Sequence, residues 1–407
     1  MMYLRMSLRN IKKNIRKNVL TMTMISFGIV ALYVYTGSNT QMFRQFRESV
    51  IRDQYGHFQL YSKGYLDEES TEPYQHMITD YHTVAQSLME DDDIDFLAPR
   101  LHFSGVGSSD ERSILLKGFG GDPEAEKRME YASVSSGVFI NPDTRYQAVV
   151  GENALAKSAS NLGEYLTVLA TMNGGGVSAM DFGITGTKQS YGETDRLNDL
   201  FILADLASVQ ELLDLKDSVD TIIVHLASGV NASKKEKDIQ QFCEKWNLEY
   251  RRWDDLAVFY ERSRQVFSMN EQILTAIILV ISIFIIINTL YMAYMARMRE
   301  IGTMRAMGTT KAQITRIILG ESMFLSLCGC LSGLVIALLL SFFVYLSGGM
   351  YHPSTVFNQE PYYTFIQPQA SAIICYVFLF MLVSAIASVV ISIRAHRYSI
   401  ADSLRWN

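Results

Sequence analysis

Residues 273–296 read ILTAIILVISIFIIINTLYMAYMA, twenty-four positions without a charge, and residues 297–313 continue as RMREIGTMRAMGTTKAQ, with four basic side chains and one acidic one. A helix over the first stretch rises about 1.5 Å per residue and covers about 36 Å, more than the roughly 30 Å of bilayer hydrocarbon. Working outward, three more windows are long and nearly free of charge: 19–38, 317–346 (interrupted only by Glu321 near its start) and 371–393. One such window fits the core of a large soluble protein, whereas four in 407 residues do not. The overall composition, 49% hydrophobic and 19% charged, conceals this segregation.

Charge on the short connecting segments sets the expected orientation. Segments 1–18, 297–316 and 394–407 together carry 14 basic and 2 acidic residues. The positive-inside rule assigns all three to the cytoplasm. Apart from Glu321 and Glu360, the remaining charges fall in 39–271, with 22 basic and 38 acidic residues, net −16, expected outside. In the leader, Leu4, Leu8, Ile11 and Ile15 share one helical face and Arg5, Arg9, Lys12 and Arg16 another, the pattern of a helix lying on a membrane surface. The first span has no small-residue cleavage motif behind it and reads as an uncleaved anchor. The expected layout is a cytoplasmic amphipathic helix at 1–18, spans at 19–38, 272–296, 317–346 and 371–393, an outer domain at 39–271, a cytoplasmic elbow at 297–316, an outer loop at 347–370 and a cytoplasmic tail at 394–407.

The 39–271 insert alternates strand and helix patterns. Strands are expected at 57–63, 96–105, 221–226 and 248–253, with helices at 81–89 and 233–246, the latter placing Ile239, Phe242 and Trp246 on one face. A strand–helix–strand unit at each end suits one ferredoxin-like layer. The intervening 110 or so residues read as a second subdomain, with strands at 148–151, 165–170 and 200–203 and a short helix at 207–213. The fold class is therefore an α-helical membrane protein with four transmembrane helices plus a large α+β extracytoplasmic domain, a ferredoxin-like layer with an inserted second subdomain. Of the four cysteines only Cys243 falls in the insert, so no disulfide forms within it.

Catalytic patterns are absent. The seven histidines show no H-x-x-x-H spacing, and no G-x-S-x-G occurs. Gly183-Ile-Thr-Gly-Thr-Lys188 fails the spacing of a phosphate-binding loop, Gly174-Gly175-Gly176 suits a loop tip, and the acidic run 90–93 suits a solvated turn or a basic partner's seat.

The elbow is the most informative stretch. Residues 297–307 have helical composition with Ile301, Met304 and Met307 on one face. Gly308 is placed to end that helix, and Thr310 with Gln313 forms a capping box opening the next. Two spans are thus joined by a short basic helix–turn–helix. An ordinary positive-inside loop would explain the arginines but not the apolar face or the paired cap signals.

Residues 299–308, REIGTMRAMG, resemble the R-E-I-G-x-x-R-A-x-G signature of FtsX-like permeases, the group of ABC transporters that includes the MacB, LolC, LolE and FtsX types. Glu321 at the start of the third span and the small-residue pair Gly329 and Gly333 extend the similarity. So does the ending 399–405, with Ser399 where the family has Pro and Asp402-Ser403 where it has Glu-Ala. The leader 7–14 and the four-span layout are similar too. The resemblance implies a membrane subunit that pairs with a second permease subunit, identical or not, above two separate ABC ATPase subunits. Arg299, Glu300, Gly302, Arg305, Ala306, Gly308 and Thr310 would couple to the ATPase, while Glu321, Gly329 and Gly333 would serve as membrane switch or packing residues. For Glu321 a polar anchor to Arg316 or the elbow and a part in the ATP-linked switch are both open, and for the glycines dimer contact and packing within the subunit are both open. No Walker motif is present, so the resemblance implies no cofactor in this chain and no enzyme activity of its own, with ATP and Mg bound by the partner. It places the chain in a bacterial inner membrane with both termini cytoplasmic, and implies no nucleic-acid partner. Residues 56–60, GHFQL, with Gly64-Tyr65 resemble the opening of LolE-like permeases, implying release of a lipoprotein or other amphipathic cargo. MacB-like export of peptides or small molecules, FtsX-like control of a cell-wall hydrolase, and a stand-alone receptor are the alternatives.

Overall fold

The computed structural model describes residues 15–68, 74–109, 112–129, 134–188, 200–296, 298–353, 362–368 and 370–395. The expected surface helix at 1–18 lies, up to residue 14, outside the described residues, as does the motif at 399–405. In chain order the longer helices are α1 (Ile15–Val50), α2 (Tyr81–Met89), α3 (Pro123–Arg128), α4 (Glu152–Ser158), α5 (Leu206–Leu213), α6 (Ala232–Trp246), α7 (Val258–Ala296), α8 (Met298–Ala306), α9 (Lys311–Leu346) and α10 (Ala370–Ala395). The longer strands are β1 (Phe58–Ser62), β2 (Ile94–Ser108), β3 (Ser113–Gly121), β4 (Gln147–Gly151), β5 (Tyr165–Thr171), β6 (Val177–Lys188), β7 (Phe201–Asp205), β8 (Thr221–Leu226) and β9 (Leu248–Arg252). The described residues divide into a helical unit, drawn from 15–44, 263–353 and 362–395, and an α/β unit, drawn from 45–262.

In the helical unit α1, α7, α9 and α10 carry the four apolar windows, and each is long and apolar enough to cross a membrane. α1 has 36 residues and α7 has 39, so they extend about 54 and 58 Å, well past the hydrocarbon. Both outrun the spans read from hydropathy because their polar continuations contain no Gly or Pro to end a helix. They keep aromatic residues at helical spacing, and Phe43 of α1 meets Phe267 of α7 edge-on at 5.2 Å. The bundle core consists of Ile25, Ile29 and Leu32 from α1, Ile286, Leu290 and Tyr294 from α7, Cys330 from α9, and Phe380, Val383 and Ala387 from α10. α1 is the most enclosed of the four, and α7 and α9 present long exposed apolar faces. A short hairpin, Met350–His352 with Tyr362–Thr364, lies between α9 and α10.

The α/β unit is built on one sheet. Its first four strands run β9-β1-β8-β2, all antiparallel, with α2 after β1 and α6 joining β8 to β9. This is the expected ferredoxin-like layer. The intervening residues do not form a separate sheet. β2 is 15 residues long; its first half pairs with β8, its second half with β5, and β3 pairs along it from Arg100 to Ser108. The order then continues β3-β7-β4-β6, closing on Ser136–Gly137. One apolar core runs through both parts, from Phe58, Leu60 and Val224 to Leu166, Phe182 and Ile202, under α5 and α6. The subdomain boundary expected near Gly105 is thus crossed by a single strand.

Gly183 to Lys188 is the last half of β6, paired in parallel with β4, and an extended strand offers no phosphate cradle, in keeping with the failed loop spacing. The acidic run at 90–93 is a solvated turn, and it also seats Lys235 of α6, whose Nζ lies 2.7 Å from Asp91, 2.8 Å from Asp93 and 3.2 Å from Asp238.

Candidate functional site: the elbow and the bundle beneath it

The elbow forms as a helical hairpin. Met298 and Ile301 of α8 are buried in the bundle core beside Tyr294, Ile314 and Ile391, so the helix is pinned by its first turn. The apolar face read from the sequence is thereby corrected. Met298 replaces Met307 as its inner member, and Met307 stands 80% exposed just past the end of α8. Gly308 has φ +96°, and its amide and that of Thr309 donate to the carbonyls of Arg305 (3.1 Å) and Met304 (3.0 Å). That is a Schellman closure, which needs a left-handed residue where glycine stands. Two residues on, Gln313 N donates to Thr310 Oγ1 at 3.3 Å and Thr310 N to Gln313 Oε1 at 2.9 Å, a reciprocal capping box that opens α9. Arg299, Glu300, Ala306, Gly308 and Thr310 are exposed, Arg305 is half-buried, and Gly302 is buried on the inner face.

The hairpin therefore presents a polar, basic ridge with one apolar tip, fixed from behind by packing and at its corner by two interlocked caps. Among its described residues the ridge holds no nucleophile–base pair. No cluster of metal-ligating side chains occurs among the described residues.

Glu321 lies in the third turn of α9 and is only 7% exposed. Arg316 is exposed. Five residues apart on a helix, the two side chains point about 140° away from each other, which removes Arg316 as the anchor. On the same helix Ser322 Oγ donates to Leu319 O at 3.1 Å and Ser326 Oγ to Phe380 O at 3.3 Å, joining α9 to α10. Nearer the elbow, Thr315 and Ser392 hydroxyls lie 2.6 Å apart across the same pair.

Gly329 and Gly333 pack within the subunit. A Cβ on Gly329 would lie 2.9 Å from Ile25 Cβ, and one on Gly333 would lie 2.8 Å from Ser26 O. The glycine pair is the seat on which α1 crosses α9, a small-residue contact of the kind that lets helix backbones approach in a membrane.

The sequence reading passed over a polar junction at the opposite end of the bundle. Glu271 of α7 accepts hydrogen bonds at one oxygen, Oε1, from Thr36 Oγ1 of α1 (3.0 Å) and Tyr376 OH of α10 (2.5 Å), whose hydroxyls are themselves 2.8 Å apart. These residues are 105 to 340 positions apart, and the only local signal was an acid directly beside the charge-free 272–296.

Residues 273–400 match the FtsX-like permease C-terminal family, and residues 19–242 match the MacB-like periplasmic core domain family. Over 142 residues the chain is 30% identical to the ABC transporter permease YtrF of Bacillus subtilis (strain 168), a stretch amounting to 34% of this chain and 33% of that protein. The chain thus matches about a third of the length of this relative. Among solved structures it is similar to the periplasmic region of MacB from Actinobacillus actinomycetemcomitans, with 15% identity, 52% of this chain and 95% of that one covered, and a TM-score of 0.39. It is also similar to the extracellular domain of the noncanonic ABC-type transporter YknZ from Gram-positive bacteria, with 10% identity, 48% and 98% covered, and a TM-score of 0.35. The first of the two family matches covers the elbow, the last three spans and the loop between them, and the second covers more than half of the chain, so the protein belongs to the FtsX-like, MacB-type permeases of ABC transporters.

Proposed function

We propose that this chain is a mechanical subunit. Separate ABC ATPase subunits seat on the elbow, and their ATP-driven closure moves α7 and α9 and, through the long α1 and α7, the α/β unit that handles cargo outside the membrane. One observation carries the reading. α8 is pinned in the bundle core by Met298 and Ile301 while Arg299, Ala306, Met307 and Gly308 face outward, so a push on the exposed ridge is delivered to the spans rather than absorbed in a loop. Exposed arginines alone would suit any cytoplasmic loop; the pinned face and the double cap are what force transmission needs.

The finer reading is a paired permease that releases lipoproteins or similar amphipathic cargo from the outer leaflet. It is supported by the resemblance at 56–60 and 64–65. In the fold Phe58 and Leu60 lie in the core and Gly56 and Gly64 adopt φ +64° and +88° at the ends of β1, so that motif shapes the strand. Cargo identity therefore rests on co-purification.

The test is a pull-down of the tagged chain from detergent-solubilised membranes, comparing wild type with the Arg305→Glu, Gly308→Pro double variant. A nucleotide-hydrolysing partner that comes down with wild type and is lost with the variant supports the reading, and a co-eluting lipoprotein would identify the cargo class. Absence of any ATPase with wild type overturns it.

A further inference from the structure

The Thr36–Glu271–Tyr376 junction ties three of the four spans to one carboxylate oxygen at the end of the bundle away from the elbow. Thr36 and Tyr376 are both buried and Glu271 is half-buried, and both hydroxyls turn to the same Glu271 oxygen. One residue after Thr36, Gly37 abuts Ile366 and Pro368 of the α9–α10 connection, and Ile366 O accepts from Ser341 Oγ of α9 at 2.8 Å. Through that connection the fourth helix joins the same level. One turn further along α7, Thr275 Oγ1 donates a hydrogen bond back to Glu271 O at 2.8 Å.

Packing engages only part of the surface of α7 beyond this point. Its next turns expose Ile273, Ile277, Val280, Ile281 and Phe284, so much of its apolar surface faces away from the bundle. The tie to Glu271 thus adds a polar link to α1 and α10 one turn from the Phe43–Phe267 ring contact, on a helix that turns much of its apolar surface away from the bundle. α7 is also the helix that joins the α/β unit at one end and the elbow at the other.

We propose that Glu271 is a latch that fixes α7 to α1 and α10, so that displacement of the elbow is transmitted along α7 instead of being lost as independent sliding of that helix. The latch itself stands apart from the coupling function; its role in transmission rests on that reading. An acceptor oxygen at this position is what the latch requires, so Gln is expected to replace Glu where Leu cannot.

The experiment is amide hydrogen–deuterium exchange on the full chain in lipid nanodiscs, for wild type and for Glu271→Leu, Glu271→Gln, Thr36→Val and Tyr376→Phe. In the chain alone, Glu271→Leu is expected to raise exchange about tenfold in residues 33–40, 268–276 and 373–380, Glu271→Gln to stay within about twofold of wild type, and the elbow residues 298–316 to be unchanged. Wild-type rates in Glu271→Leu would overturn the latch. Should Glu271→Leu lose protection throughout, Thr36→Val and Tyr376→Phe, which delete single hydroxyl donors, decide the same comparison. With the co-purified ATPase, wild type is expected to show a nucleotide-dependent change both in 298–316 and in 258–272, and Glu271→Leu to keep the first and lose the second. A variant that keeps both overturns the role in transmission, whereas failure of any ATPase to bind wild type overturns the coupling reading and leaves the latch to be judged by the chain alone.

Discussion

Arg100 and Glu126 form an enclosed ion pair in the α/β unit, with Arg100 Nε and Nη2 donating to the two carboxylate oxygens at 2.7 and 2.8 Å and Glu126 fully buried. Removing one partner strands the other charge. Glu126→Ala is expected to destabilise the fold by about 3–5 kcal/mol, and Arg100→Met with Glu126→Leu by much less, as read by chemical denaturation. Nothing in the sequence pairs two positions 26 apart, and the same holds for Lys235 with Asp91 and Asp93, because side-chain pairing across strands and helices leaves no periodic trace. His225 supplies the pH-dependent counterpart. Burial, then the neighbouring His57, pushes its imidazole from 6.5 down to about 3, and its Nε2 has no hydrogen-bond partner among the described residues. The unfolded chain therefore takes up a proton below pH 6.5 that the folded chain refuses, so stability is full above that pH and falls as the pH drops. The expected loss is about 2 kcal/mol from this site between pH 6.5 and 5. Denaturation midpoints of the full chain in detergent should fall over that range, and His225→Phe, stacked against Phe96 in its place, should flatten the fall.

At the scale of the element, the elbow was the part most legible in the sequence, since its signals are local. Gly308 at the helix end and Thr310 with Gln313 at the next start both do what their spacing implied. Thr310→Ala should cost about 1 kcal/mol by leaving amides at the start of α9 without an acceptor. Gly308→Ala should cost a similar amount through its positive φ alone, because a Cβ there meets nothing within 4 Å. The Gly329 and Gly333 pair was legible as a packing motif but not in its partner, which only the fold could name. Gly333→Leu is expected to lower the melting temperature of the detergent-solubilised chain by more than 10 °C, since the added side chain must displace the backbone of Ser26 rather than a flexible tip. A melting temperature within 2 °C of wild type would place that face of α9 outside the bundle. Less legible were β3 and β6, whose glycines and mixed polarity hide strands that exist by virtue of their neighbours, and the polar extensions of α1 and α7, which hydropathy ends at the membrane but aromatic pairing continues.

For the whole molecule, the four spans and the large insert follow from one-dimensional segregation of charge and apolar residues, and so were visible at once. The single sheet was not, because β2 belongs to both halves of the insert and its pairing with β8, more than a hundred residues on, is settled only in three dimensions. On the proposed function, a pinned elbow receives a partner's push and the bundle delivers it to the insert. The most direct measurement is photo-crosslinking in cells from a benzoylphenylalanine placed at Met307, with Phe284 on the exposed apolar face of α7 as the control position. The expected result is an adduct at Met307 containing peptides with a Walker motif and none at Phe284. No adduct at Met307, or one only with proteins lacking a nucleotide-binding motif, would contradict the account.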